Sequence, residues 1–232
     1  MAERPVFVPS LKPGRLVEEI AVSFLWHKGM APSQKKKNVA ELHAAAAKRG
    51  LSPLLEVSTK SEERLGQRLS AFNLMAELED GGAIPLESAF QGSKVFENGG
   101  PFIDLFGVEG REAKRDERLA TSGSLQCFRF EGQDFPLVPK TAFYDWLYIR
   151  ALHPHREFLK RLHSYRGFTD IEFNPERSIN CQARSCATFV ALDRLDLLDE
   201  CVNSSARFME VLLPDSIEQP HSDKERQKTM FG

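Results

Sequence analysis

The chain carries almost no net charge: 31 Lys and Arg against 33 Asp and Glu leave −2 over 232 residues. That excludes a protein that coats nucleic acid through bulk positive charge, though not one that meets it through a local basic patch. Long apolar runs are missing too. The opening MAERPVFVPS has none of signal-peptide length, and no later stretch is long enough to span a bilayer. A cytoplasmic protein with no membrane partner is expected. Cysteine is scarce, and Cys127, Cys181, Cys186 and Cys201 form no Cys-x-x-Cys pair. Free, partly buried thiols and no metal site are expected. No internal repeat is visible, which excludes solenoids and propellers. What remains is a composition ordinary for a globular protein, in a chain long enough for one large domain with its own core.

Residues 1–60 read as an N-terminal unit. EEIAVSFLW (18–26) alternates and is rich in β-formers. SQKKKNVAELHAAAAKRG (33–50) reads as a helix with Ser33 as cap and Gly50 as stop, and PLLEVSTK (53–60) as a second strand. Strand, helix, strand predicts a right-handed β-α-β crossover with two parallel strands side by side. Lys35, Lys36 and Lys37 make a basic face in the first turn, either solvated or set against phosphates.

Residues 61–213 read as the main domain. A short helix around Leu65 and Leu69 precedes a turn at GGAIP and a helix from Glu87 to Phe96. A charged, exposed helix is expected at 111–123, a β-hairpin turning at Gly132 over 125–139, and an apolar helix at 140–153 capped by Thr141. Helix continues after Pro154, residues 168–180 form a loop or short strand, and 181–198 is the last major helix. The tail 214–232 is polar, with two prolines, and is expected to be partly disordered. Helices with a small sheet make the class α+β.

The segment PLESAFQGSKVFENGGPF (85–102) stands apart. At about 100° per residue, Glu87, Phe90, Gln91 and Lys94 share one stripe, while Ala89, Gly92 and Ser93 occupy the opposite arc. Small residues on that arc allow close packing against another element. Periodicity alone leaves two settings for the polar stripe, an enclosed pocket or open water.

LSAFNL followed by LESAFQGSKVF resembles the NADAR (YbiA-like) family. The family's Glu-x-x-Phe-Gln-x-x-Lys pattern is met in full by Glu87, Phe90, Gln91 and Lys94. Its Ser-Asn-Phe element is met by Ser70 and Phe72, with Ala71 in place of Asn. REAKR resembles the family's Glu-Ala-Lys helix at Glu112, Ala113 and Lys114. DIEFN offers Asp170 and Phe173 for Asp-x-x-Trp-Gly, with Asn174 where Gly stands, and Asn180 opens the last helix. The resemblance covers roughly residues 65–198. LSAFNLMAE, AFQGSKVFENGGP, PKTAFYDWLYI and INCQAR are similar to the branch associated with DarT-type toxins, with residues 1–60 as an addition to the common core.

The resemblance implies an antitoxin enzyme that removes ADP-ribose from ADP-ribosylated guanine in DNA, without a cofactor and with ADP-ribose as product. Glu87 and Asp170 are the implied carboxylate pair for cleaving an N-glycosidic bond. Lys94 is implied either as a fixed cation or as the amine that forms a Schiff base at C1 of a ring-opened ribose. Ser70, Phe72, Gln91, Asn180 and Arg184 are the implied substrate contacts, Arg184 being equally readable as half of a structural salt bridge. Tyr144, Trp146 and Tyr148 read chiefly as core, with one of them stacking on a base as the alternative. Two other activities are compatible with the same residues: cleavage of a ribosylaminopyrimidine phosphate of riboflavin synthesis, and non-catalytic binding of ADP-ribose or of the toxin.

Overall fold

A computed structural model describes residues 1–12, 15–29, 31–176 and 178–216; the tail expected to be partly disordered lies outside these from residue 217 on. The class is α+β. Strands β1 (Ala2–Lys12) and β2 (Arg15–Phe24) form a long antiparallel hairpin. Helix α1 (Pro32–Ala47), strand β3 (Leu54–Glu56), helix α2 (Arg64–Arg68) and strands β4 (Met75–Glu77) and β5 (Ala83–Pro85) follow. Helix α3 (Leu86–Gly92) runs into β6 (Lys94–Phe96), and a 3-10 turn at Ile103–Gly107 leads to α4 (Gly110–Ala113) and α5 (Arg118–Thr121). After the hairpin β7 (Leu125–Phe130) and β8 (Gln133–Phe135) come α6 (Ala142–Leu152), α7 (Arg156–Leu159) and β9 (Gly167–Thr169). The last helices are α8 (Gln182–Arg194), α9 (Leu198–Asn203) and α10 (Ser205–Ser216).

The strands β2 and β3 that flank α1 are not neighbours. The four-stranded sheet runs β2-β1-β9-β3. Strand β1, which Pro5 and Pro9 hide from a propensity reading, takes the place beside β2. Strand β9 meets β1 at Phe7, between those prolines, and pairs in parallel with β3 from Leu54↔Gly167 to Glu56↔Thr169. The N-terminal residues therefore share one sheet with a strand from the second half of the chain.

That sheet separates two apolar cores, and the period-2 alternation of β1 feeds both. Phe7 joins the large core around α6 and α8, whereas Val6 and Val8 join a smaller one with Leu42 and Ala46 of α1. Helix α1 starts at Pro32, whose missing N–H costs nothing in the first turn; Ser33 does not cap it. Buried Asn38 ties it to the preceding loop, accepting from His27 N at 2.7 Å and donating to His27 O at 3.0 Å. Helix α6 is buried on nearly every face, and Phe143 stacks on Phe128 with ring centroids 4.8 Å apart. The single charged helix expected at 111–123 is two short helices, because Asp116 accepts from both the backbone N and the guanidinium of Arg118 at 2.9 Å and starts a new turn there. Among the described residues, no helix is long and apolar enough to cross a membrane. All four cysteines are free thiols, Cys127 half-buried and the others buried.

The seam between β3 and β9 is polar. Glu56 is buried and accepts hydrogen bonds from Ser58 Oγ (2.6 Å), Thr169 Oγ1 (2.7 Å) and Ile171 N (2.9 Å). His43, held neutral by burial, shares a hydrogen bond with Thr169 Oγ1 through Nε2 at 2.8 Å. Burial and the nearby Asp170 push the Glu56 carboxyl well up, against the pull of those donors. The folded state thus holds a proton that the unfolded chain has released, so stability falls as pH rises from the ordinary carboxylate range toward neutrality and above. Denaturant titrations at pH 5 and pH 8 are expected to show this loss, and Glu56→Gln to flatten it. A Glu56→Gln protein with the wild-type pH slope would remove Glu56 as its source.

Candidate active site

Helix α3 is buried on every face. Its small arc explains how. A Cβ on Gly92 would lie 2.6 Å from the Phe106 ring and 2.8 Å from Phe102 O, so only glycine lets the 3-10 turn pack directly on the helix. Ser88 Oγ donates to Val108 O at 2.7 Å on the same side. Gly110 serves the far end: a Cβ there would meet Glu87 Cβ at 2.7 Å, so α4 lies against the back of Glu87.

The stripe faces a pocket of about 530 Å³. Lys94 Nζ donates to Gln91 Oε1 at 2.7 Å, and Gln91 Nε2 donates to Glu87 Oε1 at 2.8 Å. The three side chains form one hydrogen-bonded line, each no more than 9% exposed. The helix stops at Gly92, short of the expected Phe96, and Lys94 is the first residue of β6, paired with Phe128. Ser93 keeps αR geometry (φ −76, ψ −9). The helical direction therefore persists to Lys94, and the stripe survives the change of element.

Burial pulls the Lys94 ammonium down to about 8; Glu87 opposes that shift and Lys114 adds to it. The facing wall comes from residues 114–117, 119–120 and 178–180. Lys114 Nζ lies 4.0 Å from Glu87 Oε1. Asp116 is held by Arg118, which also binds Asp104 at 2.7 Å. Phe90, Phe128 and Tyr144 supply the apolar surface.

Of the residues singled out in the sequence, Glu87, Gln91, Lys94 and Asn180 line this pocket together. Asp170 does not. It is 7% exposed, and its carboxylate accepts from Glu172 N and from Gln182 Nε2, both at 3.0 Å. Gln182 Oε1 in turn accepts from Ala71 N at 2.8 Å, so Asp170 braces the turn that carries Ser70 and Phe72. Ser70 is buried with its hydroxyl unpartnered, and Phe72 is 39% exposed beneath the Arg111 guanidinium (5.6 Å). Neither lines the pocket. Arg184 lies elsewhere too, bound to Asp145 and donating to Thr141 Oγ1 at 2.9 Å. That takes the hydroxyl expected to cap α6 and makes Arg184 half of a structural ion pair. Lys36 and Lys37 are exposed, and Lys35 sits over Trp26 at 5.8 Å.

Sequence reasoning missed Arg115, Asp116, Glu117, Ser178 and Ile179 as pocket residues, assigned no role to Lys114, and read Tyr144 chiefly as core. Lys114 had a signal in the Glu-Ala-Lys match. Tyr144 had none, because an apolar helix gives no sign of which face meets a cavity. No group of three or more His, Cys, Asp or Glu among the described residues is arranged to hold a metal ion.

A family model described as NADAR-DarT1, DarT1-associated NADAR antitoxin, matches residues 2–222. The match includes the N-terminal hairpin and α1. Comparison with curated proteins finds no match.

Proposed function

The chain belongs to the DarT1-associated NADAR antitoxin family, and on that footing we propose that it is an N-glycosidase, acting in the cytoplasm, that frees guanine in DNA of ADP-ribose and so reverses the action of a DarT-type toxin. The observation that carries this reading is the buried Lys94–Gln91–Glu87 line on the pocket wall. An amine with its charged form disfavoured sits one amide away from a carboxylate, both in an enclosed space. Few structural needs are served by burying a lysine this way, since a buried cation costs stability.

In the mechanism proposed, the distal ribose opens and C1 becomes an imine of the guanine nitrogen. The neutral Lys94 amine adds to C1. Both protons of the Lys94 amine pass to the guanine nitrogen, guanine departs as the free amine as its bond to C1 breaks, and a neutral Schiff base joins Lys94 to ADP-ribose. Water then adds to C1 and loses its proton to Glu87. Glu87 passes that proton to the Lys94 nitrogen, the C1 hydroxyl gives up the second proton to it as the C1–Lys94 bond breaks, the neutral amine is restored, and the aldehyde of ADP-ribose recloses. Gln91 holds Glu87 and Lys94 in line throughout. Asn180 contacts the substrate directly. Asp170 acts one step removed, through Gln182 and the turn at Ala71.

The test is a guanine-ADP-ribosylated oligonucleotide incubated with wild-type protein and with Glu87→Ala. Wild type is expected to release ADP-ribose and intact DNA, and the variant to be slower by roughly 10²–10⁴-fold. A folded variant that protects cells as well as wild type would instead indicate a binding module. Turnover of a ribosylaminopyrimidine phosphate with none of the oligonucleotide would reassign the pocket to a small molecule.

A further inference from the structure

Two tyrosines lie one turn apart on α6 with their rings stacked, centroids 6.3 Å apart at 30°. Their hydroxyls differ. Tyr148 is fully buried and donates to Leu69 O at 2.6 Å. Tyr144 is 7% exposed, lines the pocket beside Glu87, and its hydroxyl has no protein partner among the described residues. The Tyr144 oxygen is not among the buried unpartnered atoms, so the hydroxyl reaches the open space of the pocket while its ring is buried. The ring is fixed by Tyr148 on one side and by Phe90, edge-on at 5.1 Å, on another. Its freedom to turn toward a protein acceptor is therefore small.

A second unpartnered group lines the same pocket. The Asn180 Oδ1 atom is buried and accepts no hydrogen bond. The wall thus offers one spare donor and one spare acceptor near the Glu87–Gln91–Lys94 line. A ligand that both donates and accepts is suited to such a wall, and sugar hydroxyls do both.

We infer that Tyr144 is a specificity-determining residue of this site, its hydroxyl donating to a hydroxyl of the distal ribose. The inference rests on the functional reading above and names a contact that reading does not contain. Burial, with Glu87 as the next cause, keeps the phenol well above its ordinary value, so it stays a neutral donor across the working range of pH. A phenol in this position costs the fold nothing when removed and costs the substrate one hydrogen bond. The same change at Tyr148 strands a buried carbonyl.

The experiment compares Tyr144→Phe with Tyr148→Phe. In thermal melts, Y144F is expected to stay within about 1 °C of wild type and Y148F to fall by about 3–6 °C. In calorimetric titration with ADP-ribose, Y144F is expected to bind about 10-fold more weakly. Its kcat/KM on the ADP-ribosylated oligonucleotide is expected to drop by roughly 10–100-fold. Of two ADP-ribose analogues lacking the 2- or the 3-hydroxyl of the distal ribose, one is expected to bind wild type and Y144F alike, a result that a purely structural role does not produce. Equal ADP-ribose affinity in Y144F and wild type overturns the inference, as does a melting loss in Y144F matching that of Y148F. Wild-type protein that binds ADP-ribose without cleaving the oligonucleotide overturns the proposed activity and leaves the Tyr144 contact to be judged by binding. Wild-type protein that does not bind ADP-ribose overturns both.

Discussion

Lys94→Met is expected to cut ADP-ribose release by on the order of 10⁴-fold, as loss of a covalent nucleophile does, while making the protein more stable. The second half follows from linkage. In the unfolded chain the ammonium has its ordinary value of 10.5; in the fold it stands at about 8. Between those values the unfolded state holds a proton that the folded state has lost, so stability rises with pH across that window. Below it, the buried charge costs roughly 3 kcal/mol. Methionine removes the cost and keeps most of the side-chain volume but leaves buried Gln91 Oε1 without its donor, so a net gain of about 1 kcal/mol in denaturant titration at pH 7 is expected. The pH profile separates the two roles for the amine. A Schiff-base nucleophile must be neutral, so kcat is expected to climb as pH rises through about 8. A fixed cation would give the opposite slope. Borohydride added during turnover is expected to leave a reduced ADP-ribosyl adduct on Lys94, readable by mass spectrometry. An active enzyme that yields no adduct and slows above pH 8 would establish the cation role.

Arg184→Ala is expected to be the most damaging change to stability, at about 3–5 kcal/mol, or a fall in Tm on the order of 10 °C. Asp145 is 1% exposed and also accepts from Ser185 Oγ at 2.5 Å. Removing its guanidinium partner leaves a buried carboxylate with one neutral donor. The pair sits where α6 crosses α8, with Thr141 drawn in from the start of α6. The loss should therefore appear as cooperative destabilisation of both helices. Adding Asp145→Asn to R184A is expected to recover part of it, since the uncompensated charge is then gone. Activity per folded molecule should change little. An R184A protein that melts like wild type and binds ADP-ribose poorly would return Arg184 to a phosphate-binding role.

The local order of elements from α1 to α8 was largely legible because it rests on short-range signals. Apolar residues at helical spacing predict α6 and α8, and Gly132, at φ +78, turns the β7–β8 hairpin. The segments that were not legible are those whose signals conflict or run short. Strand β1 carries Pro5 and Pro9, and β9 has three residues, too few to alternate. Both acquire their structure by pairing with partners far away in the chain, so the adjacency of β2 and β3 was misread.

The same division runs through the candidate site. Glu87, Gln91 and Lys94 lie within eight residues, and the geometry of one helical stretch suffices to align them, even past the point where the helix ends. The sequence by itself therefore determined the Glu87–Gln91–Lys94 line as a set of side chains sharing one direction. Only the tertiary structure decided what they face. The opposite wall comes from residues 114–117, 119–120 and 178–180: the first follow α4, which packs on α3, and the last are the segment leading into α8. It also decided that Asp170 turns toward Gln182 and that Arg184 is spent on Asp145. Local periodicity carries no information about contacts at that separation; those are fixed by which buried groups must find partners once the cores close.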